Sequence, residues 1–134
     1  MKRLLLSIFA GGLFLMSSIE ANAQQRVYEL RTYYTHPGKL ENLLARFRNH
    51  TTRIFEKHGM INVGYWVPQD EPARKNTLIY VISHKSRDAA KQSWDAFRKD
   101  PEWIAARDAS EKDGKIVEKV EAVFMDPVDF SKLK

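Results

Sequence analysis

Residues 27–34 read VYELRTYY. In an extended chain successive side chains point to opposite faces, so Val27, Glu29, Arg31 and Tyr33 share one side and Tyr28, Leu30, Thr32 and Tyr34 the other. The aromatic and β-branched content favours a strand. An acid and a base two residues apart within it require each other, water or a ligand, because a buried charge is costly unless it is paired. The breaker cluster Thr35-His36-Pro37-Gly38 ends the strand.

Beyond it, Leu40, Leu43, Leu44, Phe47, Thr51 and Ile54 recur at steps of three and four, which predicts a helix running to His58-Gly59. MINVGYWV (60–67) alternates as a strand, PQDEPARKN (68–76) reads as an exposed hairpin loop, and TLIYVISH (77–84) as a buried strand. Ser86 is placed to cap a second helix with Ala90, Ser93, Trp94 and Phe97 on one side. Asp100-Pro101 starts a further short helix, and IVEKVEAVFM (116–125) closes the series as a strand. Trp94, Phe97 and Trp103 fall at helix-face spacing, which suits core packing better than a binding box. The order strand, helix, strand, strand, helix, strand predicts an α+β, ferredoxin-like antiparallel sheet with VYELRTYY in its centre.

Both helices of this plan cover one side of the sheet. The more apolar phase is expected there: Tyr28, Leu30, Ile61, Val63, Tyr65, Ile79, Val81, Val120, Ala122 and Phe124. The opposite face then carries Glu29, Arg31, Tyr33, Trp66, Tyr80, Ile82 and His84, too apolar to stay in water. A second copy is the expected cover, so the chain reads as a homodimer. Glu29, Arg31, Tyr33, Trp66, Tyr80 and His84 are accordingly the candidate ligand-binding residues, with Arg31 anchoring an anionic or carbonyl group and Glu29 or His84 exchanging a proton. The competing reading is an ion pair that fixes register and aromatic side chains that fill the interior.

The first 23 residues, MKRLLLSIFAGGLFLMSSIEANA, combine Lys2 and Arg3, an apolar run of 13 residues and the pattern Ala21-Asn22-Ala23, which predicts a secretory leader cut after Ala23. The run is short of the roughly 20 residues a spanning helix needs, so no stable membrane anchor is expected after leader removal. The remainder, 24–134, is expected to be one domain in the periplasm or secreted. With no cysteine anywhere it must hold together by its core. Losing two cations and one acid with the leader takes the formal charge from +5 to +4. This excess is scattered among acids and forms no nucleic-acid stripe. His36, His50 and His58 make no metal motif, and no phosphate loop, GxSxG or cysteine nucleophile occurs. No metal or other cofactor is expected, and no catalytic residue is assigned.

Tyr28 to Tyr33 (YELRTY), Pro37-Gly38-Lys39, Gly64-Tyr65-Trp66, Trp94 to Arg98 (WDAFR) and Asp100-Pro101-Glu102-Trp103, in that order and spacing, resemble the NIPSNAP family over about residues 26–130. The resemblance implies a dimeric α+β barrel and no fixed reaction. The expected function is binding of a small hydrophobic or carbonyl-bearing molecule in the barrel cavity. The alternatives are a cofactor-independent monooxygenase or isomerase using the same cavity, and an interaction module with no site.

Overall fold

A computed structural model describes residues 25–134, so the leader expected at 1–23 lies outside the described residues. The elements run β1 (Val27–Thr35), α1 (Leu40–Arg46), α2 (Thr52–Lys57), β2 (Ile61–Trp66), β3 (Thr77–His84), α3 (Arg87–Lys99), α4 (Pro101–Ser110) and β4 (Val117–Met125). The strands form one antiparallel sheet in the order β2-β3-β1-β4. This is the ferredoxin-like α+β plan, with β1 between β3 and β4 as its sequence predicted.

The helix expected from Leu40 to His58 is two α segments joined by a π-helical turn, Phe47–Thr51. Thr51 Oγ1 donates to the Arg46 carbonyl at 3.3 Å and Thr52 Oγ1 to the Phe47 carbonyl at 3.2 Å. Each hydroxyl reaches back five residues, the span of a widened π turn. Leu43, Phe47, Thr51 and Ile54 remain buried despite the extra residue.

Capping residues set the second helical pair. The Ala89 amide donates to Ser86 Oγ at 3.0 Å, and Asp100 ends α3 and accepts from the Glu102 amide at 2.8 Å, with Pro101 at the first helical position. Ser86→Ala is expected to lower the unfolding free energy by about 1 kcal/mol. Urea unfolding of the variant checks this, and an unchanged midpoint would mean the cap adds nothing.

The two faces of the sheet are distributed differently from the sequence-based expectation. Tyr80 packs on Phe47 and Phe55, and Glu29 bonds Trp94 of α3, so the Glu29, Arg31, Tyr33, Leu78, Tyr80, Ile82 and His84 phase lies under the helices. Pairing places Val120, Ala122 and Phe124 on that same side, opposite Tyr33, Arg31 and Glu29. Tyr28, Leu30, Ile79 and Val81 face away from the helices, with Lys119, Glu121, Val123 and Met125 beside them. On β2 the register shifts between Asn62 and Gly64, which leaves Tyr65 with Tyr80 under the helices and Ile61, Gly64 and Trp66 on the open face. Alternation failed here for a physical reason: β3 is apolar in both phases, and a bulge reverses the phase along β2.

The open face is nevertheless apolar, and the chain after β4 folds back over part of it. Residues 126–134 contribute Pro127, Val128 and Leu133 to a hollow whose sheet side is Tyr28, Val63, Trp66, Val81 and Met125.

Candidate functional site

Glu29 sits mid-strand on β1, opposite Ile82 of β3 and Phe124 of β4. Its side chain is only 1% exposed, as is that of His84. A carboxylate at this depth persists only with donors around it, and three are present. Trp94 Nε1–H donates to Oε2 at 2.8 Å, His84 Nε2–H donates to the same oxygen at 2.9 Å, and Arg31 Nη1 donates to Oε1 at 2.6 Å.

Burial by itself pushes the Glu29 carboxyl up, but the hydrogen bonds from His84, Trp94 and Arg31 outweigh it and hold the carboxyl below its usual range. Burial also acts to lower Arg31, whereas the oxygens of Tyr33, Tyr80 and Glu29 raise it above its ordinary value, so the guanidinium stays charged. Its carbon lies 4.3 Å from the centre of a Trp94 ring and 5.6 Å from that of Tyr33, within cation–π range. Because the ionised Glu29 only accepts, it fixes the proton on His84 Nε2. His84 Nδ1 and Arg31 Nε are buried without a hydrogen-bond partner among the described residues.

The outer members of this cluster open into a cleft of about 460 Å³ between the β1/β4 edge and α3. Glu29, Arg31, Trp94, Ala122 and Phe124 form its inner wall, and Arg87, Asp88, Lys91, Asp95 and Arg98 its rim. Asp95 holds Lys91 at 3.0 Å and Arg98 at 3.2 Å, and the Arg87 guanidinium carbon lies 3.6 Å from the Phe124 ring centre. The result is an aromatic floor with Arg31 beside it under a rim of three cations and two acids, Lys91 and Arg98 being paired with Asp95, so Arg31 and Arg87 are the cations left to meet an oxygen bearing partial or full negative charge on a molecule with an apolar body. Among the described residues no group of three His, Asp or Glu side chains is placed to hold a metal ion.

The six predicted residues do not share one cavity. Glu29 and Arg31 line the cleft, and His84 stands behind Glu29. Tyr33 and Tyr80 belong to the aromatic core, their ring centres 5.3 Å apart and each edge-on or tilted to Phe47. Trp66 is on the other face of the sheet, so its grouping with the five is corrected. Helical spacing assigns Trp94 to the core, whereas the structure also bonds its indole to Glu29. A signal was present: Arg87, Lys91, Trp94 and Arg98 recur at steps of four, three and four, one stripe of α3, and a buried indole N–H requires an acceptor.

Comparison with known proteins places this architecture. A crystal structure of a NIPSNAP family protein with unknown function from Agrobacterium tumefaciens strain C58 is 24% identical, with a TM-score of 0.70 over 83% of this chain and 96% of that one. An uncharacterised NIPSNAP-like domain protein from Burkholderia xenovorans is 15% identical, with a TM-score of 0.69 over 81% and 90%. The fold is also that of a monooxygenase from the ActVA-Orf6 gene of Streptomyces coelicolor, solved in complex with nanaomycin D, at 17% identity and a TM-score of 0.55 over 78% and 89%. No curated protein matches. The NIPSNAP family model matches residues 28–132, nearly all of the described chain, and this protein therefore belongs to the NIPSNAP family.

Proposed function

We propose that the protein is an exported homodimer that binds a small hydrophobic or carbonyl-bearing molecule in the cleft between β1, β4 and α3. The observation that carries this reading is the position of Arg31. Glu29 and Trp94 pin it, yet it lines a 460 Å³ cleft whose floor is Trp94 and Phe124. Ligand sites commonly begin at about 300 Å³ and combine apolar walls with a few placed polar groups. Arg31 is the group that meets the ligand oxygen, and Phe124 and Trp94 take its apolar body.

Dimerisation is supported by the open face. Leu30, Ile79, Val81, Val123 and Trp66 lie there together, Trp66 with 54% of its surface exposed. Two such faces closing together would bury about 800 Å² per partner, a typical specific interface. Export is supported by the leader-like residues 1–23.

Binding is tested with 1-naphthoate, an aromatic carboxylate whose uptake next to Trp94 is read by tryptophan quenching. Arg31→Met is expected to weaken it at least about tenfold, the loss of one charge-assisted hydrogen bond. Equal affinity in the two proteins would remove the cleft from consideration.

One observation favours a second reading, an enzyme. Glu29 orients His84 so that Nδ1 is left as a potential base. His84 does not itself line the cleft, so binding stands first. Turnover lost in His84→Ala with naphthoate binding intact would favour the enzyme.

A further inference from the structure

The tail after β4 carries a feature that neither the cleft nor the sheet explains. Ser131 N–H donates to the Val128 carbonyl at 3.0 Å, closing a turn with Asp129 and Phe130 at its tip. Phe130 stands 84% exposed there, although its neighbours Val128 and Ser131 line the apolar hollow on the open face. Gln25 Nε2 donates to the Pro127 carbonyl at 2.9 Å and clips the start of the tail to its own subunit. The turn therefore projects beside the hollow.

The hollow itself is built. Its volume is about 320 Å³ and its walls are almost wholly apolar. A Cβ on Gly64 would come within 2.5 Å of the Trp66 indole, so the absence of that carbon is what lets the indole lie back along the sheet and form a wall. A projecting phenyl ring and an apolar recess on one patch are self-complementary under a two-fold axis, where residue i meets j and j meets i.

We infer that Phe130 of each subunit inserts into the partner's hollow between Trp66 and the tail, making this turn the anchor of the dimer. The inference rests on the dimer reading above and adds to it the occupant of the hollow. Continuity favours a second copy over a small apolar ligand: recess and projection both lie on the face proposed to pair. With the tail clipped by Gln25, each subunit offers a knob to its twin and keeps its own strap.

Sedimentation equilibrium of the purified protein and of Phe130→Ala tests this. The exposed ring plays no part in the subunit's own packing, so the variant folds, and its dimer dissociation constant is expected to rise about 30-fold or more, as for a buried aromatic anchor. A dimer unmoved by Phe130→Ala overturns the inference and leaves the dimer standing, whereas wild-type protein that is monomeric at high micromolar concentration overturns both. The chain has no cysteine, so a second measurement is clean: Phe130→Cys and Val63→Cys chains carrying different mass tags are mixed and oxidised. A disulfide between the two tagged species supports insertion. Its failure to form in a mixture that does dimerise counts against insertion, as does a small apolar molecule found in the hollow of the dimer by native mass spectrometry.

Discussion

Glu29→Ala is expected to lower the unfolding free energy by about 3–5 kcal/mol at neutral pH, the range for removing one partner from a buried ionic cluster. Alanine strands three donors at once, the Trp94 indole, the His84 ring and the Arg31 guanidinium, and leaves a positive charge without its counterion. Glu29→Gln keeps the shape and one acceptor oxygen, so about 1–3 kcal/mol is expected from the mispaired donors.

The pH dependence has a definite sign. The folded-state pKa of Glu29 lies below its usual value of 4.5, so the unfolded chain binds the proton more readily. The stabilisation is complete above pH 4.5 and is lost as pH falls through the lower folded value. The gap between wild type and Glu29→Gln, measured by urea unfolding, should be constant from pH 7 down to about 5 and then narrow. A gap that widens on acidification, or none at neutral pH, would remove the cluster as a source of stability.

Tyr80→Ala is expected to be of the same size, about 3–5 kcal/mol, as a large aromatic removed from a closed core. Its ring centre lies 5.2 Å from Phe47, 5.2 Å from Tyr65, 5.3 Å from Tyr33 and 6.0 Å from Phe55, so no neighbour can collapse into the space without breaking another contact. Tyr80→Phe should behave oppositely. Burial pushes this phenol far up, with the neighbouring Tyr33 hydroxyl adding to the shift, and among the described residues no hydrogen bond of good geometry holds its oxygen, so deleting it removes a desolvated group at the expense only of a weak contact with Arg31 and changes stability by less than about 1 kcal/mol. Thermal denaturation of the two variants checks the pair. A marked loss in Tyr80→Phe would show that the hydroxyl is hydrogen-bonded inside the folded protein.

Much of the site was readable only in fragments. Glu29 and Arg31 stood out because charges inside an apolar strand demand an explanation, and the cleft contains both. Trp94 did not stand out, since its helical spacing is the same whether the indole fills the core or bonds a carboxylate 65 residues away. Trp66 was grouped wrongly because the bulge at Asn62 and Gly64 cannot be seen in an alternating pattern, and one inserted residue exchanges the faces of everything beyond it.

The order of elements, the capping residues Ser86 and Asp100, the central place of β1 and the family are legible in the chain's local periodicity, turn chemistry and motif order. Which face of the sheet the helices cover is settled instead by long-range packing. In β1 and β3 both phases are apolar enough to be buried, and the choice falls to a contact between distant segments: the Trp94 indole on α3 supplies the donor that lets an ionised Glu29 lie beneath it.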